Sequence, residues 1–164
     1  MTIVNVRIDG RLIHGQVAML WVPSLGIDRV MVVGDEIAAD DFGKEALKLA
    51  KPTGTNLSIL PVEKAANNIL AHRYDSQKVM IVTRETAALV ALKKAGVDIT
   101  EVNVGNVSNA DGKTTIYKSV FLSPQEAADL RELNSLGVKL VHQMTPQVAA
   151  EDFMKALNEK MPLA

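Results

Sequence analysis

His14 is the residue of this chain best placed to act as a nucleophile. It lies in the run Val6-Arg7-Ile8-Asp9-Gly10-Arg11-Leu12-Ile13-His14-Gly15-Gln16-Val17, where Arg7 and Arg11 supply positive charge and Asp9 is the only carboxylate. A neutral imidazole can form a covalent intermediate. Guanidinium groups neutralise the oxygens of a phosphoryl group in transfer. A histidine and two arginines gathered within a few residues therefore read as a phosphate site. The plainer reading is a surface histidine among solvated charges. The clustering of a nucleophile with cations just after a first strand favours the functional one. Asp9 would orient Arg11 or the imidazole, or it is simply the turn residue at a strand end.

The elements around this run would position it. Ile3, Val4, Val6 and Ile8 are apolar and largely β-branched, which predicts a strand. Asp9-Gly10 favours a turn. Val17, Leu20, Trp21 and Leu25 then recur at helical spacing. The reactive residues so fall between a strand end and a helix start, the usual location of sites in open α/β sheets. The unpaired N–H groups and positive dipole end of that helix, around His14, Gly15 and Gln16, favour an anion.

The rest of the chain alternates strand and helix. Val30-Met31-Val32-Val33 and Lys78-Val79-Met80-Ile81-Val82 are apolar runs expected of strands buried on both faces. Leu57-Ile59-Leu60 predicts another strand. The alternation of Glu101-Val102-Asn103-Val104 predicts a half-exposed one. Helices are predicted after Asp40 or Asp41, over 62–71 with Ala65, Ala66, Ile69 and Leu70 toward the core, after a Thr83 cap, and after Ser123-Pro124-Gln125-Glu126, a capping box with proline at the first helical position. Thr114-Thr115-Ile116-Tyr117 and Val120-Phe121-Leu122 predict short strands near an edge. Val138 to Gln143 predicts a last strand, and Thr145-Pro146 the start of a terminal helix through Phe153 and Leu157. No linker, repeat or composition shift divides the chain. The expectation is one α/β domain over 1–164: an open, mostly parallel twisted sheet with helices on both faces and a short antiparallel edge portion.

Other candidate sites carry less. Asp35 and Glu36 follow the second strand and either line the same crevice as His14, with Asp35 near the phosphate, or form a turn with solvated charge. Gly112-Lys113-Thr114 has the ending of a phosphate-binding P-loop, but position 107 is Val107 where that motif needs glycine, and no helical pattern follows. Gly112 reads as a turn residue. His72 sits in a polar stretch and reads as surface. His142 alternates with Leu140 and Val138 and reads as inward-facing. Histidines this far apart show no metal-ligand spacing, and no metal or cofactor is expected. Trp21 reads as core or partner-facing packing.

Composition bounds the answer. Hydrophobic residues make up 48% of the 164 and charged residues 23%, which predicts a globular chain. A net charge of −1 argues against a broad basic surface for nucleic acid. The absence of cysteine excludes disulfides and thiolate metal sites. No apolar run approaches membrane-span length, and Met1-Thr2-Ile3-Val4-Asn5 lacks the basic start of a signal peptide, so the expectation is a cytoplasmic protein with no direct membrane insertion.

The run Arg7 to Val17 resembles the active-site loop of enzyme IIB of the mannose/fructose/sorbose family of the sugar phosphotransferase system, which carries Arg-Ile-Asp-x-Arg-Leu-(Ile/Val)-His-Gly-Gln-Val near its start. Val33-Gly34-Asp35-Glu36 resembles the family's Asp-Glu after the second strand. Val102-Asn103-Val104-Gly105-Asn106 followed by Gly112-Lys113-Thr114 resembles its Asn-Val-Gly segment. The resemblance spans the chain. It implies the same α/β architecture and a histidine, here His14, phosphorylated at Nδ1. It implies a phosphorylated IIA protein as donor, membrane IIC and IID proteins as partners, and a hexose leaving as its 6-phosphate. Arg11 and Arg7 would then hold the phosphoryl oxygens without a metal. Asn106 and the spaced Gly112-Lys113 lean toward the N-acetylgalactosamine or galactosamine branch, although Val107 departs from the Met common there. Two rival classes stand beside this: a receiver-like signalling domain phosphorylated on Asp9 or Asp35, and a non-catalytic nucleotide-binding module.

Overall fold

The computed structural model describes residues 2–163. Met1, part of the N-terminal run inspected for a signal, and Ala164, the last residue of the expected domain, lie outside the described residues. The strands are β1 (Thr2–Asp9), β2 (Arg29–Val33), β3 (Asn56–Leu60), β4 (Lys78–Thr83), β5 (Glu101–Asn106), β6 (Thr114–Tyr117), β7 (Val120–Leu122), β8 (Lys139–His142) and β9 (Glu151–Asp152). Seven of them form one sheet in the order β3-β2-β4-β1-β5-β8-β9. All its pairings are parallel except β8 with β9, where His142 faces Glu151. The helices are α1 (Val22–Leu25), α2 (Asp35–Ala38), α3 (Asp41–Ala50), α4 (Val62–Leu70), α5 (Thr86–Lys94), α6 (Pro124–Ser135) and α7 (Phe153–Lys160). A π-helical turn, Val17–Trp21, precedes α1.

The apolar runs behave as strands buried on both faces. Met31, Val33, Val79 and Ile81 point to one core with Ile69, Leu89, Leu130 and Phe153. Their neighbours Val30, Val32, Met80 and Val82 point to the other, against Val17, Trp21, Val22 and Leu47. Helices therefore cover both faces of the sheet, as expected. The Ser123 capping box is present, with Glu126 N donating to Ser123 Oγ at 3.1 Å and Ser123 N to Glu126 Oε1 at 3.0 Å. Asp40, not Asp41, caps α3 by accepting from Gly43 N.

Several local expectations are corrected. Strands β6 and β7 form their own two-stranded antiparallel sheet, so the antiparallel edge of the main sheet is β9 instead. The terminal helix starts at Phe153, not at Thr145-Pro146. The chain first returns along β8 as β9, and Asp152 Oδ1 then accepts from Met154 N at 3.1 Å and Lys155 N at 3.4 Å. Phe153 and Leu157, one helical turn apart, are both fully buried. Thr83 is the buried end of β4 rather than the cap of α5; its Oγ1 accepts from Glu85 N, and Glu85 holds the cap position. Leu70, at the end of α4, is 46% exposed rather than in the core. Finally, β5 is not half-exposed. It is interior, between β1 and β8, and Asn103 is buried because its amide satisfies itself on the backbone of Gln143.

Among the largest wholly buried side chains one is charged: Arg7, on the central strand. Its guanidinium carbon stands 5.7 Å from the centroid of the Trp21 ring, within cation–π range. On another side it lies against Gly105 of the adjacent strand β5. A Cβ at Gly105 would fall 2.2 Å from Arg7 Cζ and 2.3 Å from Nη2. Glycine stands there because the guanidinium occupies the space of a side chain.

Two substitutions check these assignments. Gly105→Ala should lower stability by about 1–3 kcal/mol through overpacking against Arg7, read as a lower urea midpoint; an unchanged midpoint would show that the guanidinium has room to move. Asp152→Ala should cost about 1 kcal/mol of helix-cap stability, a fall in Tm of about 2–4 °C for a chain of this size, while Thr145→Ala leaves Tm unchanged.

Candidate active site

Strand β1 lies between β4 and β5, and the connections on its two sides run in opposite directions across the sheet. The crevice at the carboxyl ends of such strands is where open α/β sheets bind ligands. Residues 9–16 leave β1 at this point. Gly10 is held from both neighbouring strands: its N–H donates to Asn106 O at the end of β5 at 3.0 Å, and its carbonyl accepts from Arg84 Nε just beyond β4 at 2.9 Å. A Cβ on Gly10 would come within 2.9 Å of Ser108 Oγ, so the close approach needs glycine. Leu12 takes a left-handed conformation, φ 57°, with its N–H on Asp9 O. A non-glycine residue held there is strained.

Asp9 organises the loop. Its carboxylate is fully buried. Oδ2 accepts from Arg7 Nε at 3.1 Å and contacts His14 Nε2 at 2.9 Å. Oδ1 accepts from the backbone N–H of Arg11 at 3.0 Å and from Arg11 Nε at 3.4 Å. A salt-bridged carboxylate is acceptor-only, so the imidazole must donate through Nε2. In neutral His14 the lone pair then resides on Nδ1. The backbone N–H of Gln16, at the helix start, points at that Nδ1 from 3.4 Å. The His14 side chain is 15% exposed and that of Arg11 46%. A Cβ at Gly15 would meet nothing within 4 Å, so the approach to this helix start is open.

A layer beneath holds Asp9. Arg7 Nη1 donates to Gln143 O at 3.0 Å, and Asn103 Nδ2 donates to the same oxygen at 2.8 Å. Gln143 N donates back to Asn103 Oδ1. Trp21 Nε1 donates to Met144 O at 3.0 Å. Burial pulls the Arg7 guanidinium below its usual pKa, against the opposing pull of Asp9, and Arg11 adds to the lowering.

The candidates named from sequence thus separate. The structure brings Arg7, Asp9, Arg11, His14, Gly15 and Gln16 together. Arg7 is expected, with Arg11, to hold phosphoryl oxygens, yet it does not reach the surface. It is wholly buried below Asp9, so its place is to hold that carboxylate, and Arg11 is the exposed guanidinium. Asp35 is exposed and its Oδ1 accepts from Val62 N at 2.9 Å at the start of α4, while its neighbours Gly34 and Glu36 line a small cavity with Leu12 and Arg84. Lys113 Nζ bonds Ser108 O at 2.8 Å and Glu126 Oε1 at 3.0 Å, and Thr114 opens a strand, so no P-loop forms. His72 is exposed beside Asp75. His142 faces inward, on Val104 O at 2.7 Å and stacked on Tyr117. Sequence reasoning gave no role to Asn103, Gly105, Gln143 or Arg84. The Asn-Val-Gly segment marked two of these positions; Gln143 and Arg84 had no signal of their own.

The model of the sorbose subfamily of IIB components of the phosphotransferase system matches residues 3–163. The N-acetylgalactosamine-specific phosphotransferase enzyme IIB component 2 of Escherichia coli is 36% identical over 156 residues, 94% of this chain and 98% of that one. The mannose-specific EIIAB component of Escherichia coli is 34% identical over 140 residues, 85% of this chain and 43% of that longer protein. The crystal structure of the IIBSor domain of the sorbose permease from Klebsiella pneumoniae superposes with a TM-score of 0.92 at 30% identity, covering 97% of this chain and 98% of that one. A match of this extent in sequence, together with the same fold, places the chain in a family of sugar phosphotransferase enzymes: it belongs to the sorbose subfamily of IIB components of the phosphotransferase system.

Proposed function

We propose that the chain is a phosphocarrier that receives a phosphoryl group on Nδ1 of His14 from a phosphorylated IIA protein and passes it to a sugar. The observation that carries this is the 2.9 Å contact of His14 Nε2 with buried Asp9, which commits one ring nitrogen and leaves the other as the nucleophile. The mannose-specific relative, whose name joins A and B components in one longer chain, supports IIA as the donor.

In the first step the Nδ1 lone pair attacks phosphorus in line. The new N–P bond forms as the donor's N–P bond breaks, and the bonding pair returns to the donor imidazole. His14 then carries positive charge, which the Asp9 carboxylate stabilises through Nε2–H. Arg11 and the backbone N–H groups of Gly15 and Gln16 receive the phosphoryl oxygens, the Gln16 N–H turning from Nδ1 as the N–P bond takes that lone pair, so catalysis is positioning and charge neutralisation. In the second step a sugar hydroxyl presented with the membrane IIC and IID proteins attacks phosphorus. The N–P bond breaks, its electron pair returns to Nδ1, the hydroxyl proton goes to water, and the product is a sugar 6-phosphate.

The rival readings lose their residues. As phosphoacceptors for a receiver, Asp9 is buried in ion pairs and Asp35 caps a helix. As a nucleotide cradle, the Lys113 segment has its lysine bonded to Ser108 and Glu126. For the sugar, an amino sugar is the proposed acceptor, on Asn106 and Gly112-Lys113. Relatives named for N-acetylgalactosamine and mannose match at 36% and 34%, so overall likeness does not choose between them. In addition, no helix among the described residues is long and apolar enough to cross a membrane. A cytoplasmic location is part of the same proposal.

Intact mass after incubation with phosphoenolpyruvate, the two general phosphotransferase proteins and a cognate IIA tests the assignment. The chain should gain one phosphate that mild acid removes, and His14→Ala should gain none. Equal labelling of both would overturn His14 as the carrier. In the same assay Asp9→Asn should slow labelling by at least about tenfold, because a misoriented imidazole presents the wrong tautomer; an unchanged rate would remove Asp9 from the mechanism.

A further inference from the structure

Arg84 belongs to no motif and lies outside the His14 loop in sequence. It follows β4, which pairs with β1 so that Ile8 is opposite Thr83. Arg84 is therefore the residue beside Asp9 across the ladder. Its one side-chain hydrogen bond among the described residues is Nε to Gly10 O, 2.9 Å, and the side chain is exposed. Arg84 lines a small cavity with Leu12, Val33 and Ile37, but an arginine this exposed adds little to the core. What it holds is the turn from Asp9 to Leu12, on the side opposite the Asn106 anchor. That turn contains the left-handed Leu12 and relaxes unless fixed from outside. Both oxygens of Asp9 depend on it: one orients Arg11 and the other His14.

We propose that Arg84 is a positioning residue for phosphoryl transfer, fixing the Gly10 carbonyl so that Asp9 keeps His14 in the Nε2–H form and Arg11 in place. The function of this hydrogen bond lies in Nε, not in charge alone. A lysine there would keep the charge as a mobile point without the planar fork. The transfer part of this inference rests on the phosphocarrier reading; the effect on the imidazole does not.

The test compares the parent chain with Arg84→Met, which keeps the aliphatic stem, and Arg84→Lys, which keeps the charge. In the unphosphorylated proteins, long-range nitrogen-15 NMR of the His14 ring should show Nε2–H in the parent and a shift toward mixed tautomers in both variants. Labelling from phosphorylated IIA should be about tenfold slower in kcat for both, the scale expected for one charge-assisted hydrogen bond, with KM for IIA nearly constant and Tm within a few degrees. An unchanged His14 spectrum in Arg84→Met overturns the proposal, as does full recovery by Arg84→Lys with the loss confined to KM and sensitive to salt, which would make Arg84 a docking charge. A matching collapse of Tm would make its role structural and also overturns it. Failure of the parent chain to be labelled at all overturns the phosphocarrier reading, and the NMR comparison still decides the role of Arg84.

Discussion

A carboxylate buried with its charge compensated is the constraint on which the rest of this site depends. Removing the Asp9 charge from water costs several kcal/mol unless paired and hydrogen-bonded groups offset it. Each oxygen of Asp9 accordingly has two contacts, from Arg7 and His14 on one side and from Arg11 on the other. The requirement propagates. Arg7 must itself be buried to reach Asp9, so it needs Gln143 O, the face of Trp21 and the empty side-chain position at Gly105. Gln143 in turn is clamped by Asn103. A chain of single-purpose contacts thus runs from β8 through β5 and β1 to one ring nitrogen of His14.

The arrangement keeps rigid and accessible parts apart. Arg7, Asp9 and Asn103 are buried on strands, where the sheet restrains them. Arg11, Gly15 and the outer edge of His14 are at the surface, beside a helix start. For the proposed exchange of a phosphoryl group with another protein this shallow geometry is needed, because the donor would have to come within bonding distance of Nδ1. The preorganised carboxylate below costs no reorganisation when charge develops on the imidazole.

Sequence patterning reached a good part of this. Alternating strand and helix, the continuous apolar runs of β2 and β4 and the Ser123 box gave the layered α/β fold, because burial on both faces leaves a mark that local composition carries. The reactive loop was legible because its residues are neighbours in the chain: Asp9, Arg11 and His14 meet through a turn of a few residues. The same local reasoning put Asp35 near the phosphate and Thr145-Pro146 at a helix start. Partners distant in sequence bear on both: Val62 N donates to the Asp35 carboxylate, and the β8 pairing delays the C-terminal helix to Phe153.

By itself, then, the sequence determined the class of fold, the loop and the choice of His14 as the proposed nucleophile, since these follow from periodicity and from residues adjacent in the chain. Only the tertiary structure decided that Arg7 faces inward, that Gly105 is empty space for a guanidinium and that Arg84 grips Gly10. These depend on which strands lie side by side, β4 and β5 flanking β1, and strand order arises from packing the whole sheet. The physical reason is burial. A charged residue reads as solvated until the sheet order reveals a compensating partner beside it.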